Sequence, residues 1–483
     1  VAAAVGQFFP GGAGGANGTD GFSAEASVNP WDFLLMLEGT VALPVATSRS
    51  TNAELPLAAA PFTFQSVAAG FGTACRGEES ARGEQWFPTW DRWASWPEVE
   101  AVFREGRMGV PEGSSSRPSR RALDAARAVR QHGAARGIRA FHRYAYIERN
   151  GQANLAVPVG RMTTDDDPHV ALLSDVADWV RAFRSAVKED GPPSLVRLLS
   201  RLEGAMWAVC QSGTPDRWQA LVIALGEAEA ALVTRPRLAP ENHLRPLPRL
   251  RAGWWDQLGD SPEVGLAAAI TGAHHHGRPA LRPHVVPLDG GRFAQSEDRL
   301  HRGPDVVWTG RALVDDLVAV LKRRALAAED GVFPMCPGTS LSEAHLAAFL
   351  DGRVDDRRLS GLIRGMTTAE PREGRRGERA DLPGPYVVVR LAVWPGPVEG
   401  LAPNVDRRPL ELLAAGRYTA AVEVAAARLG ARGLRVKVRS GVGTPSDARR
   451  LAAALAFPPS LAAYDALERT VRRTPERPTG DPS

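Results

Sequence analysis

The chain is 483 residues long, with 44% hydrophobic and 24% charged residues. It is too long for one ordinary core and globular in composition, so two to four domains are expected and a disordered or fibrous chain is excluded. No apolar run reaches the roughly 20 residues of a membrane helix, no secretory leader pattern is read, and the scattered Cys75, Cys210 and Cys336 exclude a disulfide framework or zinc ribbon, which fits a reducing cytoplasm. The net charge of +4 is unevenly spread: residues 1–100 hold 4 arginines against 11 carboxylates, and residues 101–161 hold 12 arginines against 4. The basic block reads either as a footprint for a polyanion such as RNA or DNA, or as a solvated face or internal partner of the acidic block. Lys188, Lys322 and Lys437 are the only lysines, so arginine abundance is in part a compositional bias.

The expected fold class is α+β: a mixed α/β domain over 1–165, a helical bundle over 166–280, and an α-rich C-terminal region with short strands over 281–483. Val1 enters directly into a glycine-rich stretch, so the first domain is expected to be the remainder of a longer one. The glycine-rich loop, Gly11 to Gly21, precedes a helix over Trp31–Glu38 that Asn29-Pro30 opens and Gly39 closes. Residues 117–136 read as an arginine-rich helix. Beyond it, "IRAFHRYAYIERNGQANLAVPVGR" holds two β-prone runs around Arg149-Asn150-Gly151, a strong hairpin signal. From Asp167 onward, helices open on a capping residue and a proline: Asp167-Pro168, Thr214-Pro215 and Ser261-Pro262, with Pro192-Pro193 opening another. A short strand is expected over His284–Leu288, a helix over Arg311–Glu329, and a β run over Tyr386–Trp394.

No catalytic residue, metal site or cofactor is read from the motifs. The opening loop lacks the Gly-Lys-Ser/Thr of a Walker motif and the Gly-x-Gly-x-x-Gly spacing. It offers a backbone that can approach a groove or phosphate, with Asn17 and Thr19 as hydrogen-bonding groups; the other reading is a surface loop. His274, His275 and His276 are adjacent and lack a Glu-x-x-His or Cys pair, which disfavours a metal. Two stretches favour nucleic acid. In the basic block, Arg120 and Arg127 precede a hairpin in which Arg139, His142, Arg143, Arg149 and Asn150 are interleaved with aromatic rings, a mixture of phosphate contacts and stacking surfaces. Part of that aromatic set is equally expected as core. Near the C-terminus, Arg435, Lys437 and Arg439 fall on one face of a strand ahead of a helix opened by Thr444-Pro445, whose amides can hold an anion.

Taken together, "FFPGGAGGANGTDGFSAEASVNPWDFLLMLEG", "ARGEQWFPTWDRWAS", "RGIRAFHRYAYIERNGQANLAVPVGR", "LRPHVVPLDG", "VVWTGRALVDDLVAVLKRR" and "RRLAAALAFP" resemble the large subunit of the type I-G (formerly I-U) CRISPR effector complex, Cascade. The resemblance implies a non-catalytic role in antiviral defence: recognition of the motif flanking the target, contact with the 5′ end of the CRISPR guide RNA and with target double-stranded DNA, and help in opening the duplex. It implies as partners the Cascade backbone subunits, the guide-capping subunit and a helicase-nuclease recruited after target binding, with no membrane and a cytoplasmic location. Base pairing would read the sequence and protein the flanking motif, as in other guided systems. The alternatives are a metal-dependent nuclease or hydrolase using His274–His276, and a protein scaffold without nucleic-acid readout.

Overall fold

The computed structural model describes residues 2–4, 25–27, 31, 34–35, 37–39, 62–64, 81–105, 109–112, 115–119, 121–134, 137–149, 153–187, 191–275, 278–279, 281–296, 299–327, 341–372, 378, 380–393, 407–431, 434–436, 443–458 and 472–473. The chain is mixed α+β with a mainly helical body, and it divides into two compact units: residues 1–171 with 206–212, and residues 172–205 with 213–483. Among the described residues no helix is long and apolar enough to cross a membrane.

The first unit is built on a four-stranded antiparallel sheet in the order β1 (Thr63–Phe64), β2 (Ala81–Trp90), β3 (Ile138–Arg149) and β4 (Ala153–Thr163). The expected hairpin is β3–β4, paired from Ala140↔Thr163 to Arg149↔Ala153. Between β2 and β3 runs the helix α1 (Ala122–His132), shorter than the 117–136 expected because Ser115–Pro118 is a strand. The small side chains Ala122, Ala125 and Ala126 let α1 bury its backbone closely, with Leu123 and Val129 beside them. An aromatic cluster fills the inner face of the sheet: Phe64 and Phe141 lie 5.2 and 5.8 Å from Trp86, and Trp207 lies 6.1 Å from it, edge-on.

The second unit is helical. Its main elements are α2 (Ser174–Ala186), most of α3 (Pro193–Gln211), α4 (Pro215–Thr234), α5 (Pro262–Thr271), α6 (Leu313–Ala327), α7 (Asp356–Met366), α8 (Gly384–Val393), α9 (Tyr418–Ala431) and α10 (Pro445–Ala454). The proline starts at 193, 215 and 262 hold, and at α5 the Ser261 hydroxyl also accepts from the Val264 N–H. Helices from both sides of residue 280 pack within this unit, α7 lying on α4 and α5, so the structure does not separate 166–280 from 281–483. The α4–α7 crossing is close: a Cβ added at Gly365 would clash with the Val222 carbonyl oxygen. A buried ion pair ties the same region together, with Arg282 donating to both Glu229 carboxylate oxygens at 2.6 Å and to Thr367 Oγ1 at 2.8 Å.

Two expected strands are helical. A β run is expected over Tyr386–Trp394, yet residues 384–393 form α8 despite the β-branched Val387-Val388-Val389. Every residue from Tyr386 to Val393 is buried, so no polar face marks a helical period, and tertiary packing against α9 overrides the β-branched preference. His284–Leu288 opens instead with the short helix Arg282–Val285, carrying proline at its start, before β5 (Leu288–Asp289) pairs with β6 (Arg292–Phe293).

His284 is buried between two fixed partners. Arg324 donates to its Nε2 at 3.2 Å, which leaves Nδ1 to carry the proton and donate to the Asp305 carbonyl at 2.9 Å. Burial is the main cause that pulls the His284 pKa down, and it acts in the same direction on His345. The unfolded chain therefore takes up protons at higher pH than the folded one, and stability falls as pH drops below the unfolded histidine value of about 6.5. Thermal midpoints measured from pH 7.5 to pH 5 are expected to fall, and the fall is smaller in His284→Gln; an equal fall in the variant contradicts a lowered His284 pKa. At the α4–α7 crossing, Gly365→Ala is expected to cost about 1–3 kcal/mol by overpacking against backbone, read as a lowered urea midpoint.

Candidate nucleic-acid interface

The pleat of β3 decides what the first unit shows to solvent. Successive side chains alternate between faces, so Phe141 and Arg143 turn to the core while His142 and Tyr144 turn away. Arg143 is 3% exposed and stands directly across from Trp86, which is fully buried. Its guanidinium forks onto Glu84, with Nε donating at 3.0 Å and Nη2 at 2.7 and 2.9 Å, and the Trp86 indole N–H donates to the same carboxylate at 3.1 Å. The cation also lies over the Trp207 ring, 3.9 Å from its centroid. A desolvated pair of this kind is held only because each charge has the other together with directed hydrogen bonds.

Arg143 was expected among the nucleic-acid contacts, and the structure corrects this: its donors are spent on Glu84 and it does not reach the surface. Arg127 is corrected likewise, being buried in α1 beside Asp124 at 3.9 Å. Cys210 also lies in this core; burial pushes its thiol up to about 12, so it is no nucleophile near neutral pH.

The outer face of the sheet carries a different set. Phe87, His142 and Arg161 are paired in register across β2, β3 and β4. One step along, Tyr144 meets Phe87 edge-on with centroids 5.6 Å apart. His142 and Arg161 are exposed, Phe87 and Tyr144 are half-buried, and Arg161 has no ion pair among the described residues. Arg139, at the start of β3, is exposed and bridges to Asp165 at 3.0 Å in a solvent-open pair. Beyond the end of β2, Trp93 stands fully out of the protein and Trp96 is half exposed. The face thus offers ring surfaces, an imidazole and an exposed guanidinium side by side, the chemistry that holds bases and phosphates of an unpaired strand.

Of the other expected contacts, Asn17, Thr19, Arg120, Asn150, Lys437 and Arg439 lie outside the described residues. Arg149 and Arg435 are placed by backbone alone, opposite Ala153 and Arg472. The N-terminus of α10 is already filled from within: Asp447 Oδ2 accepts from the Thr444 N–H and hydroxyl, and Thr444 accepts from the Asp447 N–H in a reciprocal cap. It is not an open anion site. His274 and His275 form a two-residue strand paired with Arg278–Pro279, and among the described residues no group of metal-ligating side chains is assembled. Phe87 and Arg161 were not among the expected contacts. The alternation in "EQWFP" marks Trp86 and Phe87 as opposite faces, but only the β2–β3–β4 register sets Phe87 and Arg161 beside His142.

No protein-family model matches the chain, and no curated protein matches it.

The two faces predict opposite stability effects. Glu84→Ala strands a buried guanidinium and is expected to cost about 3–5 kcal/mol, while Glu84→Leu combined with Arg143→Met recovers most of that loss. His142→Ala and Arg161→Ala are expected to leave the urea midpoint unchanged. A large loss in the latter two would place them in the core and contradict the face assignment.

Proposed function

We propose that the chain is the non-catalytic large subunit of a CRISPR RNA-guided DNA surveillance complex of type I-G. In this role it reads the motif flanking the target, contacts the 5′ end of the guide RNA, and assists strand opening before a helicase-nuclease is recruited. The support is the ordered series of sequence stretches that resemble that family, running from the glycine-rich loop to the C-terminal helices. The structural observation that carries a nucleic-acid role is the Phe87–His142–Arg161 row with Tyr144 on the open face of the sheet. Stacking on such rings tolerates any base, and a guanidinium beside them contacts phosphate, so the face suits an unpaired strand as the duplex opens. Flank reading is left to groups that enter a groove, for which the loop around Asn17 is the candidate.

The test uses guide-loaded complexes assembled with and without the chain, challenged with duplexes that match the guide and carry randomised flanking bases. Selection of particular flanking bases only when the chain is present is the expected result. Equal, unselective binding in both cases overturns the large-subunit reading. In the same assay His142→Ala combined with Arg161→Ala is expected to weaken binding about tenfold or more with flank preference kept, and to reduce the salt slope by about 1.

A further inference from the structure

In the second unit, a cleft of about 460 Å³ is lined by Arg245 and Arg292, with His243, Asp289, Phe293, Pro240 and Pro246 among its other walls. We propose that it binds a nucleotide unit, meaning one phosphate with its sugar and base, either as a free nucleotide or as one residue of a strand. This proposal stands independently of the sheet face in the first unit.

The local sequence builds the cleft from two rigid turns. The short helix Leu238–Glu241 ends in a Schellman turn, the Leu244 N–H reaching the Ala239 carbonyl at 2.9 Å and the His243 N–H reaching the Pro240 carbonyl at 3.1 Å. His243 occupies the left-handed position of that turn, with φ of 52°, where glycine is the usual residue. The left-handed backbone at this position fixes the direction of the His243 side chain, which forms part of the cleft wall. Leu244 is buried beneath it, and the Trp179 indole N–H holds the Arg245 carbonyl at 2.9 Å. The second turn is that of the β5–β6 hairpin, whose Gly290 and Gly291 both have positive φ, as a two-residue turn of this type requires. That turn sets Asp289 directly across from Arg292 at the cleft.

Among the described residues the two arginines here have no ion pair. Nearby arginines of the same unit reach carboxylates, as Arg249 does to Glu370, Arg251 to Asp175 and Arg282 to Glu229. By contrast, the side chains of His243, Arg245 and Arg292 have no hydrogen bond or ion pair among the described residues, although Asp289 lines the same space. Two guanidinium forks facing one cleft suit the geminal oxygens of a phosphate. Phe293 and the prolines supply apolar contact for a ring, and Asp289 and Gln295 supply an acceptor and an amide for a sugar hydroxyl or base edge. The volume lies within the roughly 300–1,000 Å³ of ligand sites.

The experiment titrates the full chain with adenosine 5′-monophosphate, with inorganic phosphate, and with a fluorescein-labelled single-stranded decanucleotide. The decanucleotide arm is run in the His142→Ala, Arg161→Ala background, so that the sheet face does not contribute. Arg245→Ala combined with Arg292→Ala is expected to weaken binding tenfold or more. Loss for the mononucleotide identifies a free nucleotide as ligand, and loss for the decanucleotide alone identifies a strand; either supports the site. His243→Gly separates binding from folding: it relieves the left-handed position, so its thermal midpoint is expected to stay level or rise while affinity falls at least threefold. The proposal is overturned if no probe binds, if the arginine variant binds as the wild type does, or if inorganic phosphate binds as tightly as the mononucleotide.

Discussion

The Arg143–Glu84 pair is the interaction on which the geometry of the first unit rests. A guanidinium sunk among Trp86, Trp207 and Phe141 tolerates almost no displacement, because its carboxylate partner and the Trp86 indole N–H share the same few ångströms of buried space. In a strand with a period of two, fixing Arg143 inward fixes His142 and Tyr144 outward. The β2–β3 register then brings Phe87 against His142, and the β3–β4 register adds Arg161. An internal charge thereby sets which residues form the open face, even though it touches nothing outside the protein.

The same division of labour runs through the arginine-rich composition. Arg127, Arg143, Arg282, Arg324 and Arg390 are buried and serve the interior, Arg390 through a hydrogen bond to the Leu455 carbonyl. A count of cations therefore overstates the basic surface. What distinguishes the candidate contacts is freedom from internal partners: Arg161 on the sheet, and Arg245 with Arg292 at the cleft, are exposed and unbridged among the described residues. The helical body is closely packed at crossings such as Gly365 on Val222.

Much of this was legible in the sequence where the signal is local. The hairpin over 138–163 follows from alternating β-prone residues around Arg149-Asn150-Gly151, and Ser261-Pro262 and Thr444-Pro445 mark helix starts whose caps form as the residue types require. The failures are non-local. Whether Arg143 points to solvent or core depends on Glu84, which is 59 positions away. Nothing in "RYAYIER" names that partner. Val387-Val388-Val389 favours a strand in isolation, and only burial on every side makes the segment a helix. The cleft was not foreseen because His243 becomes unusual only through its backbone angle, and Arg292 is placed by a two-glycine turn whose partner segment lies some fifty residues earlier.

The central claim is that the open face of the sheet, and not its charged interior, meets nucleic acid. The most direct test is ultraviolet crosslinking of the assembled, guide-loaded complex on target DNA, followed by mapping of the modified residues by mass spectrometry. The account predicts adducts on Phe87, His142 or Tyr144 and none on Trp86 or Phe141. Adducts confined to other segments, with these strands unmodified, would contradict it.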